Sequence, residues 1–182
     1  MAPTALGDPG RPTQRPRHFE SRRLLPAAAV AVFARLDDQT RLAAHMEKPS
    51  AMMGGGRMTY AFDANRGMAV GSLIHMGGSA FGLTMAVDEV VTERTPPYRK
   101  VWRTVGTPQL VIVGGYEMGI RIANAPGGCE LTVWIDYWLP RGWLGALLGR
   151  LLGGFYARWC VGRMVADAAT AFSSPTGAPS AA

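Results

Sequence analysis

The chain has 182 residues, of which 48% are hydrophobic and 18% charged, and its formal net charge is +6. This composition is typical of a globular domain and excludes a chain that is disordered throughout. The basic charge is not accompanied by helix-turn-helix or zinc-finger spacing, nor by basic residues interleaved with aromatic ones, so we predict no nucleic-acid partner.

Both ends of the chain differ in composition from its middle. Residues 1–17 are rich in Pro and Arg, and residues 173–182 are mostly small or polar, so we predict two disordered tails. Residues 18–172 remain between them, which is enough for one domain with a substantial core.

Residues with redox or metal chemistry are few. Cys129 and Cys160 lie far apart without a CxxC motif, which is typical of a reduced, cytoplasmic protein. The three histidines, His18, His45 and His75, do not have the spacing of a metal site. We therefore predict neither a metal nor a cofactor.

The segment SRRLLPAAAVAVFA at 21–34 has two interpretations. Its twin arginine, apolar run and small residues resemble an export signal. Against this, Pro26 suits the first turn of a helix, and Asp37–Asp38 would stop a helix over 27–36. We favour the structural interpretation and keep export through a twin-arginine signal as the alternative.

The predicted elements begin with a strand at 18–25, followed by two short helices at 26–36 and 39–46. The apolar period then changes to two residues, as in half-buried strands. Six further strands are predicted, at 57–63, 67–76, 80–94, 98–106, 109–123 and 129–139. The turn signals between them are Ala64–Asn65, Gly77–Gly78, Pro96–Pro97, Thr107–Pro108 and Pro126–Gly127–Gly128.

The last predicted element is a long helix at 142–172, which opens with GWLGALLGRLLGGFYARWC. A membrane span is disfavoured, because a central Arg such as Arg150 costs about 2.5–3.5 kcal/mol, roughly as much as the five leucines and Phe155 contribute together. On a helical projection the bulky residues share one face: Leu144, Leu148, Leu151, Leu152, Phe155 and Trp159. Gly145, Gly149, Gly153 and Cys160 form a small-residue ridge on the other. We predict a long helix buried in the core.

Consecutive strands with short connections form an antiparallel meander, which buries one face. The long helix is the only large element left to cover that face. The predicted fold class is therefore α+β: a curved antiparallel sheet wrapped around the 142–172 helix, with two short helices after the first strand.

This order resembles the START-like helix-grip (SRPBCC) superfamily, which includes polyketide cyclases, the birch-pollen allergen and lipid-transfer domains. The resemblance rests on three stretches, LLPAAAVAVFARLDD, VDEVVTERTPPYRKVWR and GGCELTVWIDYWLPRGWLGALLGRLL. It implies a hydrophobic cavity between sheet and helix, suited to lipids, aromatic polyketides or similar molecules. The superfamily contains both enzymes and carriers, so the resemblance leaves activity open.

Strand alternation assigns side chains to the concave face. The bulky residues placed there are Met58, Tyr60, Phe62, Met68, Val70, Ile74, Phe81, Leu83, Met85, Val87, Ile112, Tyr116, Met118, Ile120, Leu131, Val133, Ile135 and Tyr137. No carboxylate is assigned to this face. The strand at 98–106 is ambiguous, because Trp102 and the Val101/Val105 pair face opposite ways, and we prefer Trp102 as the pocket wall because of its residue type. The predicted ligand contacts are Tyr60, Ser72, Met85, Trp102, Tyr116, Met118, Tyr137, Leu148, Phe155 and Trp159.

Glu117 and Arg121 point outward in the same register, together with Glu130 and Asp136. A bulge at Gly114–Gly115 would reverse the alternation and turn Glu117 and Arg121 inward, as a general base and an oxyanion partner. His75, beside Gly77–Gly78, has a similar ambiguity. These three residues are the candidates for catalysis.

The leading interpretation is a protein that binds or carries a mainly hydrophobic small molecule in an internal cavity. The alternatives are a cyclase/dehydratase-type enzyme acting on such a ligand, and a membrane-associated accessory protein. The expected partner is a small molecule; we predict no transmembrane segment, and the sequence leaves a homodimer open.

Overall fold

A computed structural model of the protein describes residues 15–39, 58–80 and 82–173. Except for Gln39, the predicted helix at 39–46 lies outside these residues, as do Phe81 and most of both predicted tails. The elements are β1 (Arg17–Leu25), α1 (Ala29–Asp37), β2 (Met58–Phe62), β3 (Leu73–Ala80), β4 (Leu83–Thr95), β5 (Arg99–Gln109), β6 (Gly115–Ala125), β7 (Gly128–Trp138) and α2 (Trp143–Ser173).

The seven strands form one antiparallel sheet in the order β1-β7-β6-β5-β4-β3-β2. Strands β2 to β7 form a meander, and β1 adds to its far edge, where Phe19 lies opposite Ile135 of β7. Helix α2 packs against β1 and β7. The predicted α+β class, with a long C-terminal helix against an antiparallel sheet, is confirmed.

The core lies between α2 and one face of the sheet. Alternate residues of β7 (Leu131, Val133 and Ile135) are buried because they point towards the helix. The small-residue ridge of α2 allows close approach: a Cβ added at Gly153 would lie 2.9 Å from the Tyr137 ring. The ridge therefore packs on the sheet, and the absence of side chains there offsets the low helix propensity of glycine.

The N-terminal half of α2 is not buried as predicted. Its bulky side chains from Trp143 to Phe155 are exposed, whereas the C-terminal half is buried through Val161, Met164 and Val165. Packing a ridge of glycines on the sheet turns the leucines of the same turns away from it. Among the described residues, no helix is long and apolar enough to cross a membrane.

The predicted strand at 67–76 is wrong over its first half. Residues 64–71 form turns, Arg66 and Gly67 have positive φ, and Met68 and Val70 are exposed. Gly77–Gly78 and Thr107–Pro108 are likewise not turns, because they lie inside β3 and β5. Leu83, assigned to the concave face, is exposed near the turn at Gly82.

Candidate functional site

The inner face of the sheet contains one carboxylate, that of Glu89, among the residues assigned to it by pairing. In an antiparallel pair, residues directly opposite each other share a face. Glu89 lies opposite the buried Ile74 of β3, and its neighbours on the same face of β4 are the buried Val87 and Val91. Only 4% of Glu89 is exposed. Its side chain therefore lies in an apolar interior.

Glu89 is hydrogen-bonded to Tyr116. The Tyr116 hydroxyl donates to Oε1 of Glu89 at an O–O distance of 2.5 Å, and both side chains are buried. When Glu89 is ionised, this is a charge-assisted hydrogen bond. The pair gives the inner face a polar centre that can both donate and accept.

Burial raises the pKa of Glu89 to about 7. The hydrogen bond from Tyr116, the positive charge of Lys100 and a hydrogen bond from Trp102 each act in the opposite direction. Desolvation prevails because the charged form loses its hydration. Near neutral pH the carboxyl group is thus poised to take up or release a proton, as a general acid or base must be.

Helix α2 contributes the opposite wall around Glu89. Tyr156 and Cys160 project from it, and burial is the main reason that the pKa of each is raised, to about 12 for Cys160. The negative charge of Glu89 raises both pKa values further, since it disfavours a second anion nearby. Glu89 therefore acts electrostatically on the helix as well as on the sheet.

A second buried polar group lies beneath α1. Nζ of Lys100, which is 0% exposed, lies 3.0 Å from Oδ1 of Asp37 and donates to the backbone carbonyl of the same residue at 2.8 Å. Arg94 donates to both carboxylate oxygens of Asp37. Although burial acts to raise it, hydrogen bonds and charge from Arg94 and Lys100 hold the pKa of Asp37 below its usual value.

This second group is structural. Burial lowers the pKa of Lys100, and the carboxylate of Asp37 opposes that effect. A buried charge is tolerated when it is paired and hydrogen-bonded, and Asp37 supplies both interactions to Lys100. The group ties the C-terminal end of α1 to β4 and β5 and thereby holds that helix against the sheet.

Sequence reasoning missed Glu89. The expectation that the inner face lacks a carboxylate is wrong, and the signal was present in the sequence: Met85 and Val87 were assigned inward, and position 89 has the same parity. A buried, ionisable side chain is uncommon, so strand alternation alone was the observation that could have found it.

Six predicted ligand contacts lie on or beside the inner face. Trp102, Tyr116, Met118 and Tyr137 are buried in the core, and Met118 lies directly opposite Trp102. Tyr60 is half-buried and stacks on Phe62 at a centroid distance of 6.3 Å. Met85 is also half-buried against the core. The structure thus brings these side chains to the same face as Glu89.

The other four predicted contacts lie away from the inner face or at its edge. Ser72 is buried, but its hydroxyl donates to Asp63 at 2.6 Å and accepts from the Gly67 amide at 2.8 Å, which fixes the connection before β3. Leu148 and Phe155 are exposed on α2. Trp159 is half-buried, with its ring centroid 6.3 Å from that of Tyr156.

The three catalytic candidates lie on the outer face. The β6–β7 pairing is continuous from Gly115 to Ala125, so the bulge that would have turned Glu117 and Arg121 inward is absent from this pairing. Glu117 lies opposite Asp136 and Arg103. His75 is exposed, and its Nδ1 lies 2.7 Å from Asp88 Oδ1. None of the three reaches Glu89, which occupies the opposite face.

Comparison with known proteins identifies the architecture. Neither a protein-family model nor a curated protein matches the chain. Solved structures do match: the di-domain ARO/CYC protein BexL from the BE-7585A biosynthetic pathway is 16% identical with a TM-score of 0.60, over 87% of this chain and 50% of that one. The fold is the START-like helix-grip fold.

Two further structures have the same helix-grip fold. Truncated norcoclaurine synthase from Thalictrum flavum is 12% identical, with a TM-score of 0.60, over 87% of this chain and 94% of that one. Ara h 8.0201 is 11% identical, with a TM-score of 0.51, over 83% of this chain and 99% of that one. At such identities the likeness establishes the fold, and the predicted resemblance is confirmed at that level.

Proposed function

We propose that the protein binds a mainly apolar small molecule between the inner face of the sheet and α2, and that Glu89 and Tyr116 hold a polar group of that molecule. The observation that carries the proposal is the hydrogen-bonded Glu89–Tyr116 pair in an interior that is mainly apolar. Binding sites for small molecules are mostly apolar with a few convergent polar groups, which is the pattern found here.

The chemistry of the pair restricts the ligand class. A carboxylate accepts hydrogen bonds, so the ligand would present a hydroxyl, phenol or amine to Glu89. Aromatic and thioether side chains around it, including Trp102 and Met118, suit a flat or flexible hydrocarbon skeleton. An apolar molecule with one donor group is therefore the preferred ligand.

A matched pair of probes tests this proposal. The protein is titrated with 2-naphthol and with naphthalene, which differ by one hydroxyl, while quenching of the native tryptophans is followed. We expect 2-naphthol to bind roughly threefold to tenfold more tightly, the value of one buried hydrogen bond. Glu89→Leu should abolish this difference. Glu117→Leu, on the outer face, is the control and should preserve it; equal affinities in the unaltered protein would contradict the proposal.

A second candidate function is proton transfer, which the pKa of Glu89 near 7 favours. The ionised carboxylate would take a proton from a carbon next to a carbonyl group and return it after rearrangement, as in a cyclase/dehydratase-type reaction. Glu89 replaces Glu117, Arg121 and His75 as the acid–base candidate, because it alone of the four faces the interior.

Deuterium exchange separates an acid–base enzyme from a carrier. A 1,3-diketone probe such as 2-acetyl-1-tetralone is incubated in deuterated buffer, and loss of its acidic C–H signal is followed by NMR. Enzyme-accelerated exchange that falls by about 10²–10⁴ in Glu89→Gln supports proton transfer. Exchange at the buffer rate, together with retained 2-naphthol binding, identifies a carrier.

We also propose that the protein is located in the cytoplasm. Cys129 and Cys160 are buried and free, which supports the cytoplasm. The twin arginine of the export alternative lies in β1, whose nine residues all pair with β7. Cell fractionation with an antibody to the full chain distinguishes cytoplasm from export, and sedimentation analysis distinguishes a monomer from a homodimer.

A further inference from the structure

The exposed side of α2 between positions 143 and 155 is strongly apolar, and we call it the apolar stripe. Its seven members are between 41% exposed, for Leu148, and 76% exposed, for Trp143. They are Trp143, Leu144, Leu147, Leu148, Leu151, Leu152 and Phe155. Single exposed leucines are normal on protein surfaces, but a contiguous group of this size marks an interaction site.

The stripe is continuous and faces away from the sheet. At 3.6 residues per turn its members cover one side of the helix, and the ridge of Gly145, Gly149 and Gly153 covers the other. The glycine ridge packs closely on its own side: a Cβ on Gly153 would lie 2.9 Å from the Tyr137 ring of β7, and one on Gly149 would lie 2.9 Å from the carbonyl oxygen of Ile112 in the β5–β6 connection. The domain therefore holds the stripe outward over a length of about 18 Å, at 1.5 Å per residue.

The charges that this segment of the chain carries all have one sign. Arg141 and Arg150 are exposed before and within the stripe, Arg158 follows it with its guanidinium over the Phe19 ring, and the sequence contains no Asp or Glu between Asp136 and Asp167. A second copy packed on the stripe would bring these arginines together without an acidic partner, which is unfavourable. An anionic surface, by contrast, supplies the opposite charge to each of them.

We infer that the apolar stripe docks this protein on an anionic lipid bilayer. Leu147 and Leu151 would enter the acyl boundary while Trp143, at the start of the helix, occupies the headgroup level, where Trp is favoured. Arg141 and Arg150 would contact the lipid phosphates. The helix lies on the bilayer rather than crossing it, and this role is independent of what the interior binds.

Vesicle sedimentation tests this inference with the full chain. Sucrose-loaded vesicles of phosphatidylcholine alone, or with about one-third phosphatidylglycerol, are mixed with the protein at low and high salt. We expect binding to the anionic vesicles and its loss at high salt, because basic residues near an anionic surface contribute about fivefold each. Comparable binding to both vesicle types, independent of salt, would overturn the electrostatic part.

Paired variants assign the binding to the stripe. Leu147→Gln/Leu151→Gln should lower the partition coefficient by at least about tenfold, since two leucines lose burial in the acyl region. Leu24→Gln/Val30→Gln alters two equally exposed residues outside the stripe and should leave it unchanged. Arg150→Gln should lower anionic binding about fivefold, and Arg163→Gln, whose arginine pairs with Asp167, should have a smaller effect.

Two further outcomes would refute the inference. One is absence of vesicle binding by the unaltered protein. The other is a concentration-dependent dimer that Leu147→Gln/Leu151→Gln dissociates, because the stripe would then be occupied by a second copy. Circular dichroism checks that each variant is folded, and 2-naphthol titration shows whether the interior site is retained, so failure of docking is distinguishable from failure of the proposed ligand site.

Discussion

The hydroxyl of Tyr116 on β6 donates to the carboxylate of Glu89 on β4, although strand β5 lies between them. The residue of β5 opposite Glu89 is Thr104. Its hydroxyl accepts the Tyr116 amide at 3.2 Å, so it is held against the backbone of β6. A small, tethered side chain at position 104 thus lets the Tyr116 ring reach across one strand to the buried carboxyl.

The raised pKa of Glu89 predicts a specific loss of stability with rising pH. The native state keeps its proton up to about pH 7, whereas the unfolded chain releases it near the ordinary value of 4.5. The contribution of Glu89 to the free energy of unfolding is therefore fully present below pH 4.5, and it is lost as the pH rises through 7. Because one pH unit corresponds to about 1.4 kcal/mol, titration of Glu89 should lower the free energy of unfolding by about 3 kcal/mol between pH 4.5 and pH 7.

Urea unfolding at pH 5.0 and pH 7.5 measures this effect. Glu89→Gln removes the titration and preserves an acceptor for Tyr116, so its free energy of unfolding should change less with pH than that of the unaltered protein. Glu117→Gln, on the outer face, is the control and should follow the unaltered protein. Identical pH dependence in all three proteins would show that Glu89 titrates normally.

Removing the Tyr116 hydroxyl should move the pKa of Glu89 upward. The hydrogen bond from Tyr116 stabilises the carboxylate and so lowers the pKa of Glu89. In Tyr116→Phe this effect is lost, and burial raises the pKa further. We expect an increase of about one pH unit, since a hydrogen bond to a charged group contributes about 1.5–3 kcal/mol. Titration of the carboxyl carbon by NMR measures it. Tyr156→Phe removes another buried phenol and should leave the value unchanged.

The buried ion pair beneath α1 should contribute more to stability than an exposed pair on the same strand. Lys100→Met leaves Asp37 with Arg94 but removes two buried contacts, and breaking such a pair costs about 3 kcal/mol. Arg99→Met breaks the partly exposed pair with Glu93, worth at most about 1 kcal/mol. Urea midpoints compare the two variants, and equal losses would contradict the assignment.

Periodicity predicted the strands that have one buried face. On β7, Leu131, Val133 and Ile135 alternate with residues of the outer face, and the strand lies within one residue of its predicted bounds. The prediction failed at 67–72, because Met68 and Val70 alternate as in a strand, whereas Gly67 adopts a positive φ and Ser72 binds Asp63. Local hydrogen bonds there replaced the ladder that alternation indicates.

The site was harder to predict than the fold. Tyr116 was predicted from alternation, whereas Trp102 was chosen because Trp marks a pocket wall more often than Val does. Glu89 was missed because a carboxyl group on an otherwise apolar face contradicts the usual sequence pattern. The sequence also did not predict which face of α2 is buried. A helix with bulky residues on one face and a ridge of small residues on the other can pack through either face. In the structure the ridge of small residues is buried, because the chain packs closely on Gly149 and Gly153, and this close approach is visible only in the folded protein.

Alanine at two glycines of α2 should therefore have opposite effects on stability. At Gly149 a Cβ would lie 2.8 Å from Cδ of Pro140 and 2.9 Å from the Ile112 carbonyl oxygen, so the helix must move away from the connections that precede β6 and α2. Overpacking of this kind costs about 1–3 kcal/mol, more than the gain of about 1 kcal/mol in helix propensity. At Gly162 no other part of the described chain lies within 4 Å of the added Cβ, apart from the adjacent helix backbone, so Gly162→Ala should gain about 0.5–1 kcal/mol. Urea unfolding of both variants at one pH measures the difference. A Gly149→Ala variant as stable as Gly162→Ala would show that Gly149 does not pack closely on Pro140 and Ile112.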